Sequence, residues 1–322
     1  MLFINDLPDV LNPGTQVYLF ADDTKLYRQI NSIRDCRLLQ DDLDSLAQWS
    51  EDWLLQFHPK KCKVMEIGPA GNREYEYKLL GTKLEHVKSE KDIGVEIDGE
   101  LKFTTHISNK INKANSIMGV IRRTFKYLDP ETFSKLYKSL VRPHLEYANA
   151  VWNPYLKKDI LAIENVQRRA TKLIPGFRDL SYEQRLQRLK LPTLVYRRLR
   201  GDMIEVFKIL TGIYDPRASK GLLPLYRDMV RNPERMRGHK WKLYKTRSRL
   251  NLRHKFFGNR VVDIWNDLPE HVVDAPSVHS FERRLDRVWR DQDILYNFKS
   301  ALEKCRANPA EYTLSSDEDL DT

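Results

Sequence analysis

The sequence predicts an α+β fold, and three observations along the chain carry this prediction. Residues 17–21, VYLFA, form a short apolar stretch of β-branched and aromatic residues, and residues 24–28 continue as TKLYR after an Asp-Asp pair, which is typical of a β-hairpin. Leucines at helical spacing and then a short strand-like run follow. From residue 105 to residue 214 the apolar spacing is helical. We therefore predict hairpin, helix and strands over 1–104, followed by a mainly α-helical region.

Length and composition are those of a folded chain that favours polyanions. The 322 residues are enough to bury a sizeable core in about two domains. Because 41% of the residues are hydrophobic and 10% are aromatic, disorder is excluded as the main state. The net charge of +10 and the pI of about 9.3 favour nucleic acid or anionic lipid as partners. Many soluble proteins share such a charge, so motifs must decide.

The cysteines and the hydropathy pattern predict a soluble protein of the cell interior. Cys36, Cys62 and Cys305 are widely spaced and form no CxxC pair or zinc-ligand spacing, which favours a reducing compartment. The stretch MLFINDLPDV has no basic segment ahead of an apolar one, and no stretch approaches the roughly 18 apolar residues that cross a bilayer. We expect a cytoplasmic or nuclear location and no membrane partner.

Residues 1–104 contain one amphipathic helix and several short strands. The segment DCRLLQDDLDSLAQWSEDWL is helical by its spacing, with acidic residues over much of the remaining surface; its predicted core face is formed by Leu39, Leu43, Leu46, Ser50 and Trp53. The run KKCKVMEIG predicts a strand that ends at Gly68-Pro69. Two further strand-like pieces are YKLLG and DIGVEID.

Two predicted helices carry the basic residues of the region 105–214. Over 106–126 the apolar stripe is formed by Ile107, Ile111, Ala114, Met118, Ile121 and Phe125. The remaining surface carries a scattered basic set, Lys113, Arg123 and Lys126. Over 160–174 Ile163, Val166, Ala170, Leu173 and Ile174 share one side, and the opposite side carries Arg168, Arg169 and Lys172. The second helix is the better candidate for phosphate contact, and a solvated face is the alternative.

The rest of the chain divides by composition. Residues 215–250 are rich in Arg, Lys, Pro and Gly and poor in apolar periodicity, which predicts an extended or partly ordered basic linker. Residues 251–300 restore apolar periodicity around Phe257, Trp265 and Trp289 and predict a C-terminal helical segment. Residues 301–322 form a polar acidic tail that we expect to be disordered.

The adjacent carboxylates Asp22 and Asp23 are the strongest chemical signal in the sequence. Two such charges at a tight turn repel each other unless a cation or hydrogen bonds compensate them. Magnesium, which prefers oxygen ligands, does this well. In two-metal phosphoryl transfer, carboxylates hold ions that activate the attacking hydroxyl and neutralise the leaving pyrophosphate. The alternative, and the commoner explanation of a bare Asp-Asp pair, is a turn capped by Asp side chains.

Longer stretches around this pair favour the first explanation. FADD between apolar strands resembles the xADD box of reverse transcriptases, and LFINDLPDVL is similar to the segment before that box in non-LTR retrotransposon polymerases. LQDDLDSLAQWSEDWLLQFHPKKCKVMEIG resembles the palm helix and strand that follow. KDIGVEIDGELKFTTHISNKINKANSIMGVIRRTF, LYKSLVRPHLEYANAVWNP, IENVQRRATKLI and FFGNRVVDIWNDLPEHVVDAPSVHSFERRLDRVW resemble the thumb-like and C-terminal regions of jockey-like LINE polymerases. The resemblance implies a partial polymerase palm over 1–104 and a thumb-like region over 105–214.

The resemblance implies RNA-directed DNA polymerase activity, a metal-dependent nucleotidyl transfer. Asp22 would bind the catalytic metal, one Mg²⁺ ion of a two-metal site, and Asp23 would support or share that site. Lys61 would be a cation near the incoming triphosphate or the departing pyrophosphate. Lys60 or Lys63 fit this role equally, and a solvent-facing lysine beside a strand is the plain alternative.

RNA template, DNA primer and dNTP are the partners that the resemblance implies. Phosphates would be contacted by Lys113, Arg123, Lys126, Arg168, Arg169 and Lys172. Trp152 and Tyr155 could stack on bases, although we favour Trp152 as packing at a helix end. Gly81 and Gly94 could shape the hairpin that positions the primer end, although we favour them as residues that end strands.

A polymerase of this family also needs a metal-binding aspartate on an earlier palm strand, together with fingers residues. Asp6 and Asp9 flank Leu7-Pro8 in a predicted turn, too close to the Asp-Asp pair to come from a separate strand. We therefore predict a truncated polymerase, catalytically incomplete as a single chain, that works with an upstream polymerase fragment. Such a palm should expose apolar surface. The alternatives are a non-catalytic RNA- or DNA-binding module and a non-functional remnant.

Overall fold

The computed structural model describes residues 4–21, 23–68, 75–219, 221–230 and 238–305. The chain divides into an N-terminal unit, Met1–Lys102, and a C-terminal unit, Phe103–Thr322. Within the described residues, the named strands all lie in the N-terminal unit, and the C-terminal unit is helical apart from one β-bridge. The α+β fold class is therefore confirmed.

The described part of the N-terminal unit combines one long helix with two-stranded sheets. Helix α1 is Ile33–Asp52, and the strands are β1 Gln16–Phe20, β2 Asp23–Tyr27, β3 Lys63–Met65, β4 Lys78–Leu79, β5 Thr82–Lys83, β6 Glu85–Val87, β7 Ser89–Asp92 and β8 Val95–Asp98. Antiparallel hairpins form from β1 and β2, from β4 and β5, and from β7 and β8, whereas β3 pairs with β6 in parallel. The predicted strand in KKCKVMEIG is thus confirmed as β3.

Gly81 and Gly94 close two of these hairpins. Each is the second residue of a two-residue loop, because the residues on either side of the loop are register partners. Their φ angles of +70° and +80° lie in the left-handed region, which glycine adopts without a steric penalty and which such tight loops require. The structure therefore gives both glycines a role in ending strands, the interpretation that we favoured.

The buried face of α1 departs from the prediction at its C-terminal end. Leu46 and Ser50 are buried as predicted. Trp53, which we predicted to face the core, is 46% exposed, because the helix ends one residue earlier and Trp53 is its C-cap. Trp49 takes the core position instead and packs with Leu7 and Leu46. The prediction was wrong because it placed the aromatic anchor one helical turn too late.

The C-terminal unit consists of many helices, most of them short. Their bounds are α2 Thr104–Thr124, α3 Pro130–Leu136, α4 Arg142–Glu146, α5 Asn149–Trp152, α6 Lys157–Ala170, α7 Tyr182–Leu189, α8 Leu194–Leu210, α9 Pro216–Ser219, α10 Tyr226–Met229, α11 Asn251–Lys255, α12 Phe257–Arg260, α13 Val262–Asn266, α14 Glu270–Val273 and α15 Val278–Val288. A π-helical turn, Tyr137–Val141, joins α3 to α4. In the part of the chain that the structure describes, no helix has the length and apolar character needed to cross a membrane.

The predicted apolar stripes of α2 and α6 form much of the interior of this unit. Buried members of the two stripes are Ile107, Ala114, Met118, Ile121, Ile163, Val166, Ala170 and Ile174. Phe125, predicted to be part of the α2 stripe, is 37% exposed because it caps the end of that helix. The regular α-helix of the second stripe ends at Ala170, and a 3-10 turn, Thr171–Leu173, follows it.

Helix α8 packs against α5, α6, α13 and α15, and it contributes residues to a large buried cluster of the C-terminal unit. The three predicted anchors, Phe257, Trp265 and Trp289, all lie in this cluster. The basic segment 215–250 also contributes, since Leu223 and Leu243 are buried there. The burial of these two leucines could not be predicted from the sequence, because the segment has no apolar periodicity. Two isolated leucines are enough to anchor an irregular segment.

His106 should make the stability of the C-terminal unit depend on pH. Burial, with a smaller contribution from the cation of Lys110, lowers the pKa of His106 from its ordinary 6.5 to about 4. The unfolded state therefore takes up the proton first as pH falls. The stability that this histidine contributes is complete above pH 6.5 and is lost between pH 6.5 and about 4, at up to about 1.4 kcal/mol per pH unit.

The variant His106→Leu should show a flatter decline of the free energy of unfolding over this window. Urea unfolding of both full chains at several pH values, followed by far-ultraviolet circular dichroism, measures the two slopes. Equal slopes in the two chains would contradict the assignment of this pH dependence to His106.

Candidate active site and nucleic-acid surface

The hairpin of β1 and β2 presents Asp23 at its closed end, and the predicted hairpin is confirmed. Phe20 and Asp23 are register partners, so the loop contains only residues 21 and 22. Ala21 has a φ of +54°, the left-handed backbone that such loops require. Asp23 is exposed at the first position of β2. Asp22, the other predicted catalytic and metal-binding residue, lies outside the described residues.

A buried carboxylate on α1 holds both ends of this hairpin. Asp42 is fully buried and accepts hydrogen bonds from the Asn12 backbone N–H at 2.6 Å and the Thr15 hydroxyl at 2.5 Å. Arg28, directly after β2, donates to the same Thr15 hydroxyl at 2.7 Å. Its guanidinium also lies 3.8 Å from the Asp42 carboxylate. Asp42 is therefore a positioning residue for the segment that carries Asp23.

The prediction that the acidic residues of α1 lie on the solvated surface is wrong for Asp42. The spacing of the apolar residues contains the signal that would have identified it. Asp42 lies three residues after Leu39 and four before Leu46, so it shares their stripe on the helix. A carboxylate on an apolar stripe indicates a buried hydrogen-bond acceptor.

The face of the hairpin that carries Asp23 also exposes aromatic side chains. Tyr18, Phe20 and Tyr27 are 55%, 58% and 51% exposed. The strand alternation and the pairing register place them on the same face as Asp23. The opposite face, with Val17, packs toward Leu7 and Trp49. The exposed apolar surface predicted for this region is therefore present.

The structure separates the three candidate lysines of the HPKKCK segment. Lys63 donates to Glu90 at 2.8 Å, and this bond raises the pKa of Lys63. Lys60 and Lys61 are exposed in a 3-10 turn, Pro59–Lys61, and neither has an ion pair or side-chain hydrogen bond among the described residues. Among the described residues, no ion pair or hydrogen bond joins Lys61 to Asp23. The role of Lys61 stays a prediction.

The described carboxylate, imidazole and thiol groups do not by themselves form a metal site. Among the described residues, no group of three or more His, Cys, Asp or Glu side chains could hold a metal ion. Asp23 alone does not fit magnesium, which is bound through carboxylates and other oxygen ligands in octahedral geometry. A magnesium site at the closed end of the hairpin would need Asp22 and a further oxygen ligand.

The predicted phosphate-binding residues are all exposed, and they lie on or just after two helices that pack together. They are Lys113 and Arg123 on α2 with Lys126 after it, and Arg168 and Arg169 on α6 with Lys172 after it. α2 contacts α6, and Arg169 donates to the Asn115 side chain of α2 at 3.5 Å. Exposure is a necessary condition for phosphate contact, and the binding role itself stays a prediction.

Trp152 packs inside the C-terminal unit instead of offering a surface for base stacking. It is 1% exposed, and its Nε1–H donates to the Tyr147 carbonyl at 2.6 Å. Its ring lies 5.3 Å, centroid to centroid, from the ring of His106. The interpretation that Trp152 packs at a helix end is confirmed, and the stacking alternative for it is wrong.

Known proteins similar to this chain are polymerases of mobile elements. The chain is 26% identical over 187 residues to the RNA-directed DNA polymerase from mobile element jockey of Drosophila melanogaster, which covers 54% of the chain and 20% of that protein. It is 25% identical over 165 residues to the RNA-directed DNA polymerase from mobile element jockey of Drosophila funebris, which covers 49% of the chain and 18% of that protein. It is also 25% identical over 163 residues to the probable RNA-directed DNA polymerase from transposon BS of Drosophila melanogaster, which covers 48% of the chain and 18% of that protein.

The chain thus spans about a fifth of the length of each of these three polymerases. No family model matches it, and no solved structure does. The similarity is thus to RNA-directed DNA polymerases of transposable elements. The predicted resemblance to jockey-like non-LTR reverse transcriptases is confirmed by these matches.

Proposed function

We propose that this chain is the C-terminal part of a retrotransposon RNA-directed DNA polymerase, with a palm over 1–104 and a thumb-like region over 105–214. The observation that carries the proposal is the tight hairpin, which presents Asp23 at its closed end and is fixed to α1 through Asp42. Similarity to jockey-type polymerases over about half of the chain supports it.

In this proposal the chain contributes only part of the catalytic metal site. Asp22 and Asp23 supply two carboxylates for Mg²⁺, which would assist nucleotidyl transfer when bound. We assign the remaining carboxylate to a separate upstream palm fragment, because polymerases of the family that the sequence resembles carry a metal-binding aspartate on an earlier palm strand. The chain is then inactive alone, and it binds template, primer and dNTP productively only with that fragment.

Primer extension on an RNA template with Mg²⁺ and dNTPs tests this function. The full chain is assayed with and without an added upstream palm and fingers fragment from the same element. We expect extension only in the mixture, and its loss in Asp22→Ala/Asp23→Ala. The matched control is Asp41→Ala/Glu51→Ala, which removes two exposed carboxylates from α1 and should retain extension.

Each outcome of this assay decides one part of the proposal. Extension by the chain alone would refute the divided metal site. Extension in the mixture that survives the loss of Asp22 and Asp23 would refute their role. No extension in any mixture, with all chains folded, would refute the polymerase proposal and favour a non-functional remnant or a binding module.

A non-catalytic RNA- or DNA-binding module is the second candidate function. The exposed basic residues of α2 and α6 favour it, because phosphate contact needs no metal site. Retention of an RNA–DNA duplex with a steep salt dependence, without extension in any mixture, is the result that this candidate predicts.

A further inference from the structure

A basic cleft lies in the segment that sequence composition marked as a linker. Its volume is about 740 Å³, and it is lined by Lys245, Thr246, Arg247, Ser248, Arg249 and His254. All six side chains are basic or hydroxyl-bearing, so the lining carries no negative charge. No Asp or Glu lies between Glu234 and Asp263 in the sequence. The cleft is therefore electrostatically suited to a polyanion.

The cations of this basic cleft are available for an external ligand. Lys245 forms an ion pair with Asp263, but Arg247 and Arg249 are exposed and have no hydrogen bond or ion pair among the described residues. A second cleft, of about 300 Å³, differs in this respect. Three of its four lining cations, Arg197, Arg200 and Lys208, are each paired with a neighbouring carboxylate, and the fourth, Arg198, is buried.

The fold holds the basic cleft at both of its ends. Before it, the Asn266 side chain accepts from the Leu243 N–H at 2.8 Å and donates to the Leu243 carbonyl at 2.9 Å. After it, the Asn259 side-chain amide donates to the Arg253 carbonyl at 2.8 Å. Leu243 and Asn259 are both buried. The cleft is thus tied to the core of the C-terminal unit, so less conformational entropy is lost when a ligand binds.

An exposed aromatic ring beside the basic cleft narrows the choice of polyanion. Phe256, two residues after His254, is 46% exposed, and the Arg253 guanidinium lies 5.5 Å from its ring centroid. Free arginines bind phosphates bidentately, and an exposed ring or a guanidinium plane can stack on an unpaired base. An acidic peptide would use the charges and leave the ring without a partner. A duplex keeps its bases stacked on each other.

We propose that the basic cleft binds single-stranded nucleic acid, with Arg247 and Arg249 on its phosphates and Phe256 against a base. This surface is separate from the basic residues of α2 and α6 and needs no catalytic activity, so it does not rest on the proposed polymerase function. The chain can fail to extend a primer and still bind single-stranded nucleic acid in the cleft, and it can extend a primer without such binding. The two proposals are therefore tested independently.

Fluorescence anisotropy with a labelled 12-nucleotide single-stranded RNA and the full chain tests the proposal. We expect Arg247→Ala/Arg249→Ala to weaken binding about tenfold or more at low salt. The slope of log K against log salt should fall by about 1.4, for two lost phosphate contacts on a single strand. Phe256→Ala should weaken binding about fivefold or more and leave this slope unchanged. Circular dichroism checks that each variant is folded.

The matched control is Arg178→Ala/Arg188→Ala, which removes the same charge from two exposed arginines that have no hydrogen bond or ion pair among the described residues. It should bind RNA nearly as the wild type does. Equal weakening in the two double variants would overturn the proposal in favour of a net-charge effect. Wild-type affinity in Arg247→Ala/Arg249→Ala would overturn it outright. Tighter binding of a poly-glutamate peptide or an RNA duplex than of the single strand would overturn the choice of ligand.

Discussion

Replacing Asp202 with alanine is expected to lower the free energy of unfolding of the C-terminal unit by about 3–5 kcal/mol. Asp202 is 1% exposed on α8. It accepts two hydrogen bonds, each 2.9 Å long, from Nε and Nη2 of Arg260. The same guanidinium donates to the Ala150 carbonyl at 2.9 Å, so the pair joins α8, α12 and α5. Without the carboxylate, the charge of Arg260 stays largely buried and uncompensated.

Asp286 provides a matched control for burial. It also receives a two-pronged contact from an arginine of α8, with Arg200 Nε at 2.6 Å and Nη2 at 2.9 Å. The Asp286 side chain is 49% exposed, whereas that of Asp202 is 2% exposed. Asp286→Ala should therefore cost less than about 1 kcal/mol. Asp202→Leu/Arg260→Leu should recover much of the loss, because neither charge is then left alone.

Denaturant unfolding of the full chain, followed by tryptophan fluorescence, measures these differences, since Trp152, Trp241, Trp265 and Trp289 all lie in the C-terminal unit. Similar losses for Asp202→Ala and Asp286→Ala would show that burial does not decide the strength of the pair. If Asp202→Leu/Arg260→Leu were less stable than Asp202→Ala, the loss in Asp202→Ala could not be explained by the uncompensated buried charge of Arg260.

Local patterns were sufficient to predict the elements that lie near the candidate site. The hairpin around Asp23 and the anchors Phe257, Trp265 and Trp289 each follow from apolar spacing within a few residues. Asp202 could not be predicted in this way, because its partner Arg260 lies 58 residues further along the chain. A buried charge and a solvated charge have the same appearance in a sequence until the packing of distant elements is known.

In the candidate site, too, local motifs were predictable from the sequence, whereas contacts between distant residues were not. The Asp-Asp motif in its family context located Asp23, and the structure adds Asp42 as the residue that holds the hairpin. The ligand set for a metal could not be read from spacing, because such ligands come from separate strands. Composition marked the segment around Arg247 and Arg249 as basic, but only the packing of Leu243 and Asn266 makes it a defined cleft.

Replacing Trp265 with alanine should also destabilise the C-terminal unit by about 3–5 kcal/mol, because it removes a large, fully buried side chain from the buried cluster that includes α8. Trp265 is 1% exposed, and its ring centroid lies 5.8 Å from that of Phe281. Its Nε1–H donates to the Trp241 carbonyl at 2.8 Å. Trp53→Ala is the control of the same residue type. With 46% of Trp53 exposed, it should change the stability of the chain by less than about 1 kcal/mol.

Trp265→Phe separates the packing of the ring from its hydrogen bond. Phenylalanine keeps most of the buried volume but leaves the Trp241 carbonyl without its donor, which should cost about 1–3 kcal/mol. The Asn266 bonds to Leu243 remain, so this variant should keep the basic cleft and its RNA affinity. If Trp265→Phe were as unstable as Trp265→Ala, the hydrogen bond and not the packing would dominate. Stable Trp265→Phe chains that no longer bind RNA would show that Trp265, through Trp241, sets the path of the chain into the cleft.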